Sequence, residues 1–331
     1  MDLKNTINSL LPLKIRSTRS LFLSYYYDYK RYCKYAVFGN RIDSEKQFRG
    51  VLTYHYHVIE KGLTMPEPRL GFAKEKISFL IHLCERYMDK KYDLSALAFI
   101  HSVEILNEYV KFHVERNYLL DDDVVLKIHQ LSKYTGIQNF VKQSYISRDV
   151  FFAHRRDSFD LFSMSRHTVR NYSSKKIQLD ILHRCVELAQ NTPSACNRQP
   201  NRVYIVKNRD AINSVLSLQN GNRGFGNLAD ALIVFTSEIS VFRESSERHE
   251  AYLNSGMYIM TFINALHYHE IGSCSLNWSV SARKDKALRK LLNIPASEAV
   301  CMILSCGYVP DFFHLASSPK ASWKEICIDV L

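Results

Sequence analysis

Two textures of hydrophobic pattern divide the chain. From Ser44 to about Tyr145, apolar residues recur three and four positions apart. Examples are Phe79, Leu83 and Tyr87, Leu80 and Cys84, and the stripe Ala96, Phe99, Val103, Leu106 and Val110. That spacing predicts amphipathic helices, and the alternation of a half-buried strand is absent. Gly62 to Pro68 interrupts the pattern, since glycine and proline both disfavour helix interiors. Upstream, Leu21 to Phe38 interleaves Tyr25, Tyr26, Tyr27, Tyr29, Tyr32 and Tyr35 with Lys and Arg. This reads as a helix packing its rings on the rest of an N-terminal helical domain. The competing expectation for residues 14–38 is peripheral contact with a membrane surface.

After Arg148 the texture changes. His154-Arg155-Arg156-Asp157 is polar and charged, and it sets a boundary between a helical segment, residues 1–150, and a mixed segment, residues 151–331. In the mixed segment Ile177, Ile181, Cys185 and Leu188 form one helix face that ends before Thr192-Pro193. Arg202 to Val206 predicts a strand, and Ala231 to Thr236 predicts one buried on both faces. A long helix from about Glu247 to His269 follows, then a strand over Gly272 to Asn277. A short helix over Lys284 to Leu292 and a third apolar strand over Ala299 to Gly307 complete the pattern. Strands alternating with helices predict a layered α/β or α+β fold.

Composition narrows the class. The 331 residues are 46% hydrophobic and 23% charged, which excludes a disordered chain and suits two domains. The net charge is +11, and residues 1–50 hold ten Lys and Arg against four Asp and Glu. Such an excess suits an anionic partner, but no nucleic-acid-binding signature accompanies it. The eight cysteines form no Cys-x-x-Cys pair and mostly sit in apolar runs, which predicts buried, reduced thiols in a cytoplasmic protein. His57 and Glu60 share a helix face, but two ligands do not make a metal site and none is assigned. No secretory leader is expected, and the uncharged run Ala251 to His269 contains too many polar residues for a membrane span.

The familiar phosphate-loop, dinucleotide, nucleophile-elbow and zinc-protease motifs are absent, and Gly221 to Gly226 follows no clear strand. Three polar clusters carry the candidate chemistry. Ser165-Arg166-His167-Thr168-Val169-Arg170 offers cations and a hydroxyl, and is expected at a helix start, which suits a phosphate. Pro193-Ser194-Ala195-Cys196-Asn197-Arg198-Gln199-Pro200 offers amides and a hydroxyl between a helix and a strand, suited to a ring with several polar edges. Ser273-Cys274-Ser275-Leu276-Asn277-Trp278 ends a short apolar segment.

Taken together, these clusters resemble the FMN-dependent nitroreductase family. Arg166-His167-Thr168-Val169-Arg170-Asn171-Tyr172 is similar to its opening Arg-x-Ser/Thr-x-Arg-x-Phe/Tyr motif. Pro193 to Pro200 is similar to its Pro-Ser-x-x-Asn-x-Gln-Pro motif, and Gly307-Tyr308 with Pro310 to its Gly-Tyr-Pro strand end, with one residue inserted. The resemblance covers about half the chain. The helical segment resembles an extension carried by some members, several of them encoded near surface-polysaccharide genes.

The resemblance implies an α+β sheet flanked by helices, behind an all-helical N-terminal domain. It also implies an intertwined homodimer with FMN at its interface. Ping-pong hydride transfer would run from NAD(P)H through FMN to a small organic acceptor such as a nitro compound or quinone. By the same resemblance Arg166 and Thr168 bind the phosphate end, with His167 and Arg170 beside them. Pro193, Ser194, Asn197 and Gln199 reach the flavin from the partner subunit. Asn220 and Arg223 contact the ribityl and pyrimidine side, with Arg where the family has Lys. Cys274, Ser275, Leu276 and Asn277 lie along the ring, Arg223 and Asn277 tune it, and Lys320 sits at the phosphate. No side chain acts as a nucleophile. The chain departs from the family in two places: Asn277-Trp278 replaces a Pro-x-Glu-Gly segment, and Ser318 stands where a second cation is expected. The first departure leaves a second expectation, a catalytically altered flavin-binding or partner-recruiting module. His57 to Arg69 is the segment expected to contact substrate or act as a lid.

Overall fold

A computed structural model describes residues 12–37, 41–135 and 143–330. Along the chain the elements are α1 (Leu13–Tyr35), α2 (Glu45–Leu63), α3 (Lys74–Asp89), α4 (Leu97–Val114), α5 (Asp122–Ser132), β1 (Ser144–Ser147), α6 (Arg148–Phe151) and α7 (Phe159–Ser165). They continue with α8 (Leu179–Ala189), β2 (Asn201–Val206), α9 (Arg209–Leu218), β3 (Ala231–Glu238), α10 (Glu250–Tyr268), β4 (Ile271–Asn277), α11 (Ala282–Leu292), β5 (Glu298–Tyr308), β6 (Phe312–Leu315) and α12 (Trp323–Ile326). Two compact units emerge, and each draws on two stretches of chain. One combines the residues up to Ala36 with Ser147–Asp311, and the other combines Val37–Ile146 with Phe312 onward.

The second of these is the helical unit, built on α2 to α5. Ser44 starts α2 through a capping box with Gln47, which satisfies amides that a helix start leaves open. The helix stops at Leu63, inside the Gly62-to-Pro68 interruption. Gly62 is required there, because a Cβ would lie 2.2 Å from the Phe72 ring. The core brings together Phe48, Leu52 and Ile59 of α2, Leu80 and Tyr87 of α3, and Phe99, Val103 and Leu106 of α4. The α4 stripe is buried as its spacing predicts. On α3, Phe79 is exposed, and the buried set is Ile77, Leu80, Ile81, Leu83, Cys84 and Tyr87. Ser144–Ser147 forms a strand without strand-like alternation because it pairs with β6, contributed by a distant part of the chain.

The other, the sheet unit, holds an antiparallel sheet ordered β2-β3-β5-β4. β3 is central and buried over Ala231 to Ser237, as its unbroken apolar run predicts. α8 and α10 pack on the sheet through Leu182, Cys185, Phe262 and Leu266 against Ile233, Phe235 and Leu304. Burying a side chain such as Phe262 contributes roughly 1.5–3 kcal/mol. On α8 the buried positions are Leu182, Cys185 and Ala189, while Ile181 and Leu188 are only partly covered.

Two expectations fail here. α1 buries none of its residues, so its tyrosine rings are not packed on a helical domain. It is placed with the sheet unit by polar contacts: Asp28 accepts from Arg248 at 2.6 and 3.1 Å, and the Ser20 and Ser245 hydroxyls lie 2.6 Å apart. None of the eight cysteines is in a disulfide; Cys84, Cys185, Cys274 and Cys306 are buried, but Cys33 and Cys301 are only partly covered and Cys196 and Cys327 are exposed, so the expectation of buried thiols holds for half of them. Among the described residues no helix is long and apolar enough to cross a membrane.

Candidate functional site

The first cluster is extended chain after the C-terminal end of α7, not a helix start. Its backbone joins the sheet edge instead: Val169 N–H donates to the Ser273 carbonyl of β4 at 2.9 Å, and Ser173 N–H to the Tyr308 carbonyl at 2.7 Å. Tyr172 is buried, with its hydroxyl 3.0 Å from both the Val169 carbonyl and the Ser305 hydroxyl. Gly307 admits this tyrosine, because a Cβ there would come within 2.8 Å of the Tyr172 Cβ. Two sequence motifs far apart in the chain are thus one packing unit.

This docking sets Arg166 half-buried at the site. Burial pulls its pKa down, and no carboxylate among the described residues pairs with it. The neighbouring His267 is 2% exposed and accepts or donates a 2.9 Å hydrogen bond with the Ser165 hydroxyl. Burial lowers its pKa to about 4, helped by the positive charges of Arg166, His167 and Arg155. No local pattern marks His267, which joins this cluster only through the packing of α10 beside residues 165–167. An uncompensated cation held away from water is a natural place for an anion.

β4 alternates in the expected way for an edge strand. Cys274 and Leu276 point into the core, while Ser275 and Asn277 are exposed. Gln219 donates to the Asn277 carbonyl at 3.1 Å, which brings the loop carrying Asn220 and Arg223 to the end of β4. Asn222 braces that loop through the Leu216 and Gln219 carbonyls, and Gly221 and Gly224 take positive φ angles of 106° and 90°. Asn220 accepts from Lys284 at 3.0 Å, and Arg223 is exposed. Trp278 is fixed by its indole N–H on Asp285 at 2.9 Å, and Asp285 in turn pairs with Arg289 at 2.7 Å. Asn277, Trp278, Tyr252, Val280, Arg289 and Met302 help line a cavity of about 530 Å³. Gln219 and Asp285 were missed in the sequence. The four-residue Asp285 to Arg289 spacing was the available signal for the latter.

The Pro193-to-Pro200 loop is strained. Cys196, Asn197 and Gln199 have φ angles of 53°, 54° and 50°, a region that costs non-glycine residues of order 1 kcal/mol each. The loop is held from outside where Ala195 N–H donates to Asn254 at 2.8 Å and Arg198 pairs with Glu247 at 2.5 Å, and from within where Gln199 N–H donates to the Ser194 hydroxyl at 3.0 Å. Strain maintained by several anchors is typical of a ligand-binding loop. Its position across the sheet follows from register. Val203 of β2 pairs with Phe235, Phe235 with Met302, and Met302 with Asn277. Three strand spacings separate the loop's strand from β4, roughly 14 Å.

Lys320 is exposed and belongs to the helical unit. Ser318 also belongs there, and is bound through its N–H to Glu60 at 2.8 Å. Glu60 is fully buried, with His57 at 3.3 Å and His101 at 3.2 Å, and His101 also meets Glu104 at 2.9 Å. Glu60 is therefore enclosed by the fold of the helical unit. Burial alone would raise its pKa, but hydrogen bonds from His101, His57 and the Ser318 N–H hold it well below the ordinary carboxylate value. Among the described residues, no group of three or more His, Cys, Asp or Glu is placed to hold a metal.

Residues 164–308 match the nitroreductase family. The match supports a nitroreductase domain over these residues, which are less than half of the chain, and the helical region precedes it. The chain is similar to an FMN-dependent nitroreductase from Clostridium difficile, at 16% identity over 51% of this chain and 98% of that one, with a TM-score of 0.44. It is also similar to a nitroreductase family protein from Streptococcus pneumoniae, at 17% identity over 52% of this chain and 100% of that one, with a TM-score of 0.46. No curated protein matches the chain.

Proposed function

We propose that the chain is an FMN-dependent oxidoreductase that moves a hydride from NAD(P)H to a small organic acceptor. The observation that carries this reading is Arg166, a half-buried cation with no carboxylate partner among the described residues, in the extended segment whose Val169 N–H bonds β4 at Ser273. The donor set fits a phosphorylated flavin: a guanidinium and a hydroxyl at Arg166 and Thr168, outward Ser275 and Asn277 on an edge strand, and a braced loop offering Asn220 and Arg223. Bound FMN supplies the hydride-accepting centre.

The chain's own residues bind, orient and tune. Arg166 and Thr168, with His167 and Arg170, hold the phosphate end. Arg223 sets a cation near the polar edge of the ring system, where negative charge develops on reduction. Cys274 and Leu276 anchor β4 in the core so that Ser275 and Asn277 face outward. Trp278, locked by Asp285, walls the neighbouring cavity. Pro193, Ser194, Asn197 and Gln199 serve the site of a second copy, which agrees with their distance across the sheet. The outer face of α10 supports such a homodimer, because Leu253, Met257 and Met260 form an exposed apolar stripe at helical spacing. Lys320 as a phosphate contact rests on the family resemblance alone. The functional division we propose is a helical segment, 1–150, that selects the acceptor, and a flavin-binding segment, 151–331.

The test is an absorbance spectrum of the purified protein after reconstitution with FMN, repeated anaerobically with NADH and with NADPH. Bands near about 370 and 450 nm that bleach with a nicotinamide are expected of a working flavin site. Absence of bound flavin after reconstitution overturns the proposal. Bands that persist with both nicotinamides favour the flavin-binding, partner-recruiting reading, for which the observation is Asn277-Trp278 in place of a carboxylate.

A further inference from the structure

α1 is built the wrong way round for a helix that only packs on its own protein. Ser20, Ser24 and Asp28 recur every four residues and form its inward stripe, where Ser20 meets Ser245 and Asp28 meets Arg248 and His249. The opposite face carries Ile15, Phe22, Tyr26, Tyr29 and Cys33, at helical spacings of seven, four, three and four. Phe22 and Tyr26 stack at 6.1 Å, Tyr26 and Tyr29 at 6.4 Å, and the Lys30 ammonium lies 4.8 Å from the Tyr26 ring. Phe22 is 66% exposed and Tyr29 61%. A polar inner stripe and an aromatic outer face need an outside partner to cover the latter.

Charge identifies that partner. The helix holds Lys14, Arg16, Arg19, Lys30, Arg31 and Lys34, and its one acid is Asp28. Asp28 is engaged inward by Arg248 and His249, and the Arg248 hydrogen bond holds its pKa at about 2. The outward face therefore presents aromatic rings flanked by Arg19, three residues before Phe22, and Lys30, four after Tyr26, with no carboxylate among them. A second copy meeting it through the same face would set cations against cations. Ile15 and the flanking Leu13 and Leu23 are exposed aliphatic groups that neither stack on bases nor hydrogen-bond, so they add little to a nucleic-acid contact and much to a lipid one. Tyrosines with Lys and Arg among apolar residues match the headgroup boundary of a bilayer, where rings partition and long basic side chains reach phosphates.

We propose that α1 docks the protein on an anionic lipid surface, lying in the plane of the headgroups with Ile15, Phe22, Tyr26 and Tyr29 against the acyl boundary. The contact is peripheral, since no described helix is suited to span a membrane. This goes beyond the flavin chemistry and does not depend on it.

The experiment is flotation of the full-length protein with vesicles of neutral phosphatidylcholine, and with vesicles containing a third phosphatidylglycerol. Flotation with the anionic vesicles, reduced at least tenfold on neutral vesicles or in 0.5 M salt, is the expected result, because screening shortens the reach of surface charge. The triple variant Phe22→Ser, Tyr26→Ser, Tyr29→Ser should lose flotation to a similar degree. None of these side chains is buried, so its circular dichroism and melting temperature should match the parent's. Failure to float with anionic vesicles overturns the proposal. So does a triple variant that floats as well as the parent, or one that changes from dimer to monomer in light scattering, which would assign this face to a second copy. Retention of single-stranded RNA with no flotation also overturns it.

Discussion

Glu60 and Arg166 are both charged groups withdrawn from water, one in each unit, and their surroundings differ. Glu60 is met by two imidazoles, a backbone N–H and the Ser318 hydroxyl. Among the described residues Arg166 has no carboxylate opposite it, and its charge adds to burial in lowering the pKa of the nearby His267. A buried charge that is fully answered serves the fold, because its desolvation is offset by hydrogen bonds already in place. A buried charge left without a counter-ion weakens the fold and is useful only to something that arrives later. The comparison separates structural electrostatics from binding electrostatics within one chain.

The largest test of that contrast is Glu60→Ala. It leaves His101, Glu104 and the Ser318 N–H facing an empty position, and removal of one partner of a buried network costs about 3–5 kcal/mol. Thermal unfolding should show the loss, and proteolysis after Ser318 should accelerate as the C-terminal segment loosens. The second test is acid. His267 has a folded pKa of about 4 against an ordinary 6.5, so the unfolded chain binds the proton first as pH falls. Stability from its neutral form is complete above about 6.5 and declines toward pH 4, by about 3 kcal/mol in all. Urea titrations across that range should show the decline, and His267→Phe should flatten it. The smallest effect has the opposite sign for stability. Arg166→Ala should leave the melting temperature of the flavin-free protein unchanged or raised. FMN affinity, read by fluorescence quenching, should fall by about 1.5–3 kcal/mol, the range for a charge-assisted hydrogen bond. A strongly destabilised Arg166→Ala protein would erase the contrast.

What the sequence carried was whatever depends on local pattern. The apolar run Ala231 to Thr236 could only be a buried strand, and β3 is one. The α4 stripe and the break at Gly62 were legible for the same reason. Motif chemistry was legible at residue level: Arg166-to-Tyr172 and Gly307-Tyr308 could each be marked. Their contact could not, because the packing of Tyr172 on Gly307 joins positions 135 residues apart. The extended form of residues 166–173 was equally hidden, since its cause is pairing with Ser273 and Tyr308 rather than any local preference. β1 and the inward polar stripe of α1 share that character, as both are decided by distant partners.

The Glu60–Ser318 hydrogen bond spans 258 positions of chain. On a ribosome adding about 5–20 residues per second, Glu60 therefore waits roughly 13–50 s for its partner to be made. During that interval the larger stretch of the sheet unit, Ser147–Asp311, emerges, while the helical unit lacks the two donors that Ser318 brings to Glu60. The order of manufacture thus runs against the order of assembly. The helices come first but close last, and the sheet domain can be finished while the segment that completes its neighbour is still being translated.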